Sequence, residues 1–139
     1  MSFIARPDQL REIPLFAELS GDALVLVAGL ATELEVPAGT VLGRADDPGS
    51  GMFVVEEGTV AVDVRGGETI ELGPGEFVGE LSLLVPDAHR VGRIRAATDV
   101  RCLAISRDDF GALLEAEPRL AVAMLPVLAR RLFVAMQSV

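Results

Sequence analysis

Between residues 32 and 106, glycines and prolines cut the chain into pieces too short for helices, and most of these pieces alternate between apolar and polar residues. Leu34 and Val36 alternate with Glu33 and Glu35 ahead of a Pro37-Ala38-Gly39 turn. After the acidic stretch Asp46-Asp47-Pro48-Gly49-Ser50-Gly51, Met52 to Val55 reads as an apolar strand and Glu56-Glu57-Gly58 as a tight turn. Val60, Val62 and Val64 then alternate with small or polar residues, and Gly66-Gly67 closes a hairpin onto Thr69 to Leu72. A second alternating segment, Ile94 to Ile105, sets Ile94 and Ala96 on one face and Arg93 and Arg95 on the other. Short strands with turns about every eight to twelve residues specify a β-sandwich or barrel.

Both ends change period. Residues 1–31 read as helical: Pro7-Asp8 opens a turn, Ile13-Pro14-Leu15-Phe16 is a break that presents apolar residues, and Ser20-Gly21-Asp22 caps the run Ala23 to Leu30. Residues 107–139 read as two helices. Asp108 and Asp109 start one that carries Phe110, Leu113 and Leu114, and Glu117-Pro118 starts the other. Along the second, Leu125, Leu128, Leu132, Ala135 and Val139 recur at steps of three and four, as in a short coiled-coil seam, while Pro126 predicts a kink. With 139 residues, the chain reads as one domain spanning 1–139. Half its residues are apolar and every aromatic is Phe, so the core is built from Val, Leu, Ile, Ala and Met.

Twelve basic residues, all Arg, against twenty-one acidic ones give a net charge of −9, which repels a nucleic-acid backbone. The apolar runs Ala23 to Ala31 and Leu120 to Ala129 are about half the length that crosses a bilayer, and no leader pattern is visible. The expectation is a cytoplasmic domain that binds neither nucleic acid nor membrane. One histidine, His89, leaves no set of ligands for a metal and little room for hydrolytic chemistry, so no catalytic residue is assigned. His89 itself reads as an exposed loop residue, and Cys102, alternating inward, as a buried structural thiol.

The stretch from Gly73 to Ala97, GPGEFVGELSLLVPDAHRVGRIRAA, carries the chemistry. Gly79 opens onto Glu80-Leu81-Ser82-Leu83-Leu84, one turn of helix whose free N–H groups suit an anion. Eleven residues after Gly79 comes Arg90, the base placed to return to that turn and grip a phosphate with paired bonds. Glu80 could accept from hydroxyls on the same ligand; otherwise it is a helix-start carboxylate, and Arg90 an ordinary surface base.

These residues resemble the cyclic-nucleotide-binding domain of catabolite activator proteins, cAMP-dependent kinase regulatory subunits and gated channels. The likeness runs from Leu15-Phe16-Ala17-Glu18-Leu19-Ser20 through Pro37 to Val41, Phe53 to Val60 and Gly75 to Leu84, and on to Thr98-Asp99-Val100 and Arg107 to Phe110. It implies a double-stranded β-helix (jelly-roll) barrel, mainly β, with N-terminal helices and two C-terminal helices, and a phosphate-binding cassette at 79–94. It implies that Gly79 and the N–H groups of Leu81 and Ser82 cap a cyclic phosphate, that Glu80 accepts from the ribose 2′-hydroxyl, and that Arg90 neutralises the phosphate.

The chain departs from the family at Val91-Gly92-Arg93, where a small or hydroxyl residue, Ala and then Thr or Ser are usual. Losing a hydroxyl at Val91 removes a phosphate contact of about 0.5–1.5 kcal/mol. It also removes the threonine that cGMP-selective members use, so cAMP is the favoured ligand and cGMP the lesser one. Gly92 keeps its backbone N–H, and Arg93 is expected to point outward. In the last helix, Ala135 and Met136 stand where the activators place hydroxyls on the adenine, which leaves Arg130, Arg131 and Met136 as candidate lid residues. The expected function is a regulatory sensor whose ligand signal passes through the C-terminal helix, with a homodimer through that helix and a protein effector as partners. The alternative is a degenerate fold that serves as an interaction or dimerisation module without nucleotide. A cupin-like metal enzyme is disfavoured by the single histidine.

Overall fold

The computed structural model describes residues 2–4, 6–43, 51–64, 66–80, 84–85 and 92–137. Nine strands are described: β1 (Ser2–Ile4), β2 (Thr32–Val36), β3 (Val41–Gly43), β4 (Gly51–Glu57), β5 (Val60–Val64), β6 (Thr69–Leu72), β7 (Phe77–Val78), β8 (Gly92–Ala96) and β9 (Val100–Ser106). They form a five-stranded sheet in the order β1-β2-β9-β4-β7 and a four-stranded sheet in the order β3-β8-β5-β6. Every pairing is antiparallel. The helices are α1 (Pro7–Leu10), α2 (Gly21–Leu30), α3 (Arg107–Ala116) and α4 (Pro118–Gln137), with a 3₁₀ turn at Pro14–Phe16. This is the expected mainly-β jelly roll flanked by helices.

Local chemistry sets the helix starts. Ser20 accepts from the Ala23 N–H at 3.1 Å and Ser106 from the Asp109 N–H at 3.2 Å, while Asp22, Asp108 and Asp109 lie in first turns where the helix dipole favours them. Pro118 begins α4 where a missing N–H costs nothing.

Two apolar cores result. The first lies between the helices and the outer face of the five-stranded sheet, where Phe16, Val27, Phe110, Leu113, Leu120 and Met124 meet Met52, Val54, Leu103 and Ile105. The second fills the space between the sheets with Val55, Val60, Val62, Leu72, Val78, Ile94, Ala96, Val100 and Cys102. The Cys102 thiol is pushed up to about 11 by burial, with the charges of Glu56 and Glu33 adding to the effect. It therefore stays protonated and inert in the core.

Three expectations change. Residues 2–4 were read as part of a helical N-terminus, yet they form β1, paired with β2 from Ser2↔Leu34 to Ile4↔Thr32. Three residues ahead of Pro7 are too few for a helix, and β2 offers an open edge with unpaired backbone groups. The segment Ile94 to Ile105 is two strands in different sheets, β8 and β9, because Ala97-Thr98-Asp99 is a corner. That corner is pinned by Ala97 N–H donating to Thr59 O (2.9 Å), Thr59 N–H to Thr98 Oγ1 (2.9 Å) and Ala38 N–H to Asp99 Oδ1 (2.9 Å). β4 also runs on through Glu56 and Glu57, which were read as turn. The helix α4 continues through Pro126, whose ring is on the exposed side.

Gly58 closes the β4–β5 turn at φ 89°, and a Cβ there would lie 2.2 Å from the Asp99 carbonyl oxygen. Gly39 has φ 91° with nothing within 4 Å of its Cβ position. Gly39→Ala should cost only the left-handed strain, about 1 kcal/mol, and Gly58→Ala at least about 2 kcal/mol more, read by urea unfolding. Cys102 should react with a thiol reagent only as fast as the protein unfolds, which a denaturant series of alkylation rates would check.

Candidate functional site

The turn Gly73-Pro74-Gly75-Glu76 is fastened at both ends. Gly73 N–H donates to Glu76 Oε2 at 2.7 Å, Gly75 N–H to Val55 O at 2.8 Å, and Val55 N–H to Glu76 O at 2.8 Å. β7 follows and pairs with the middle of β4, Phe53↔Val78 and Val54↔Phe77. At Gly79 the backbone takes φ 97°, a conformation that favours glycine, and beyond it Leu84 N–H donates to Glu80 O at 2.9 Å.

Glu80 is 3 % exposed, the most deeply buried charged residue among those described. Its counter-charge is Arg131 of α4. Arg131 Nη1 donates to Glu80 Oε1 at 2.7 Å and Nη2 to the Phe77 carbonyl at 2.6 Å, and the guanidinium carbon stands 4.7 Å from the Phe77 ring centroid. One planar fork thus satisfies a carboxylate, a carbonyl and an aromatic face together. A buried carboxylate without such a partner costs several kcal/mol or loses its charge (~3–5 kcal/mol when a pair is broken).

Of the candidate residues, the structure brings Gly79, Glu80 and Arg131 together. Leu81, Ser82, Arg90 and Val91 lie outside the described residues, as does His89. Gly92 begins β8, buried, where a Cβ would stand 2.6 Å from the Asp63 carbonyl oxygen, so close packing demands glycine there. Arg93 points outward as expected and is held there by Asp63, at 3.0 Å from Nη2. Asp63 also accepts from Arg95 (2.8 Å) and Thr69 (2.9 Å); Arg95, then Thr69 and Arg93, keep its carboxyl well below the usual range. Arg130 is exposed and Met136 is 67 % exposed. Two clefts of about 440 and 400 Å³ lie elsewhere, lined in turn by residues around Pro37 and Asp99 and around Pro14 and Glu56. Neither includes Gly79, Glu80 or Arg131.

Sequence reasoning did not single out Phe77, whose ring and carbonyl both serve Arg131. Its alternation within a two-residue strand carried no signal of that contact. Pairing of Arg131 with Glu80, 51 positions apart, is visible only in the fold.

The family model of the cyclic nucleotide-binding domain matches residues 33–117. A cyclic nucleotide-gated potassium channel of Mesorhizobium japonicum is 35 % identical over 119 residues, 86 % of this chain and 33 % of the channel. The catabolite activator protein of Thermus thermophilus superposes with a TM-score of 0.76 at 32 % identity, over 90 % of this chain and 61 % of that one. The regulatory subunit of a cAMP-independent protein kinase A from Trypanosoma brucei superposes with a TM-score of 0.73 at 26 % identity, over 89 % and 44 %. The chain spans about a third of the length of the channel it matches. It belongs to the cyclic nucleotide-binding domain family.

Arg131→Met should destabilise the domain by about 1–3 kcal/mol, since it strands Glu80 without its partner while one third of the arginine is already in solvent. Adding Glu80→Gln should recover part of that loss, measured by denaturant unfolding of the single and double variants.

Proposed function

We propose that this domain is a cyclic-nucleotide sensor with cAMP as its favoured ligand, and that the ligand signal leaves through α4. The observation that carries the reading is the Glu80–Arg131 pair: the carboxylate expected to take the ribose hydroxyl is already bonded to the C-terminal helix. A carboxylate has lone pairs for both, so a hydroxyl donating to Glu80 adds to this junction without displacing it. Gly79 and the N–H groups of Leu81 and Ser82 would cap the phosphate, Arg90 would neutralise it, and Arg131 would be the lid that reports occupancy to α4. Nucleotide shifts the position of α4 only by binding one arrangement more tightly than another.

The reading includes no catalysis, a cytoplasmic location, and a protein effector or fused domain as the recipient of the signal. α4 is long and apolar enough to cross a membrane by length and composition. Against insertion, Leu120 and Met124 are buried in the first core and Arg131 is tied to Glu80. Leu125 and Leu132, from the expected seam, are each 62 % exposed and Phe133 is 61 %, which favours a homodimer through α4. Val139 lies outside the described residues.

A second reading, an interaction module without nucleotide, has support from the same pair, because Arg131 by itself explains why a carboxylate is tolerated at position 80. One structural neighbour is the regulatory subunit of a protein kinase A described as cAMP-independent, which is compatible with this reading.

Calorimetric titration with cAMP, and with cGMP beside it, separates the two. The sensor reading expects saturable binding of cAMP, weaker binding of cGMP, and a loss of about 2–5 kcal/mol in Arg90→Ala. It also expects cAMP to slow amide exchange along α4, a response absent in Arg131→Met. Flat calorimetry and an unmoved melting temperature with both nucleotides would leave the interaction module.

A further inference from the structure

A second buried carboxylate stands away from the cassette, on the face of the five-stranded sheet that the helices cover. Register sets Arg101 of β9 between Glu35 of β2 and Glu57 of β4, with Glu33 one step along the same face opposite Leu103. The β4–β9 ladder slips between Val55 and Glu57, which makes Glu56 the extra residue of a bulge. Its side chain is 8 % exposed, that of Glu33 is 13 % exposed, and the two carboxyls converge on one atom, Arg101 Nε. Arg101 does not resolve the conflict. Its Nη2 is spent on Glu57 at 2.8 Å, and its Nε stays 3.8 Å from Glu33 and 3.7 Å from Glu56. Among the described residues, Glu56 Oε1 and Arg101 Nε are buried with no hydrogen-bond partner.

Two carboxylates facing each other present only acceptors, and a proton on one turns the contact into a charge-assisted O–H···O bond. We propose that Glu33 and Glu56 form a proton-binding site, in which one shared proton holds the bulged end of β4 against β9 and β2.

Every element around Glu56 supports this balance of charge. β2 contributes Glu33, β4 contributes Glu57, and β9 contributes Arg101 and the neutral thiol of Cys102. Gln9 and Glu12, together with the uncharged Ile13, Pro14, Pro74 and Gly75, line the adjoining cleft of about 400 Å³. Burial, then the charge of Glu33 and its hydrogen bond, push Glu56 up to about 7 from an ordinary 4.5, and Arg101 opposes them only in part. Folding therefore takes up a proton. The stabilisation is complete below about 4.5 and is lost as pH rises through about 7. The site adjoins Val55, whose N–H and C=O both bond the Gly75–Glu76 turn that leads into the cassette.

The test follows melting temperature between about pH 6 and about pH 8.5 for the parent chain, Glu56→Gln and Glu33→Gln, and side-chain carboxyl ¹³C shifts of the parent over the same range. The parent should lose at least about 3 °C towards the alkaline end, while Glu56→Gln should be flatter and more stable there. One glutamate carboxyl resonance should titrate near neutrality. Parallel melting curves for the parent and Glu56→Gln would overturn the proposal. So would carboxyl resonances that all titrate in the ordinary acidic range, an outcome that needs no variant to fold.

Discussion

β9 is buried on both faces, and both cores are built on it. Its seven residues pair with β2 on one side and β4 on the other. Leu103 and Ile105 look towards the helices, while Val100 and Cys102 look between the sheets. A strand in that position tolerates little polarity, because any unpaired group on either face is cut off from water. The exception is Arg101 at its entry end, where the helices give way to the clefts. The corner Ala97-Thr98-Asp99 that delivers the chain into β9 is bonded to the turns at Ala38 and Thr59, so the start of the strand is held by side chains as well as by its ladder.

The same sheet carries the candidate site at its other edge. β7 is only two residues long, but pairing with β4 and the fastened turn before it place Gly79 reproducibly at the sheet's end. From there Glu80 enters a buried position, and α4 supplies its counter-charge. The consequence is mechanical: the far half of α4 is largely exposed, and Arg131 ties it to the barrel. Whatever bonds Glu80 acts on that anchor. Among the described residues, the buried carboxylates of Glu80 and Glu56 are thus answered differently, Glu80 by an arginine that forks onto it and Glu56 by an arginine already committed to Glu57.

Much of this was legible in the residues. Alternation with glycine punctuation specified the short strands, and Ser20 and the Asp108-Asp109 pair marked helix starts, because backbone preference and capping act within a few residues. Inward alternation placed Cys102, and outward alternation placed Arg93. The misreadings were of another kind. Residues 2–4 became a strand because β2 had an edge to fill, and the segment from Ile94 to Ile105 split because its two halves serve different sheets. Neither cause is local.

What the sequence by itself determined is therefore the repertoire: where most strands and glycine turns fall, which face of each of those strands is apolar, and which charged residue types are available. Only the tertiary structure decided which charges meet. Arg130 and Arg131 are adjacent and chemically identical, yet the rotation of α4 on the first core turns Arg131 to Glu80 and leaves Arg130 in solvent. Glu56 reads as a turn residue until a one-residue slip in the β4–β9 ladder turns it onto Glu33. Charge pairing acts over a few ångströms between residues dozens of positions apart, and register and helix rotation, which set those distances, are properties of the packed whole.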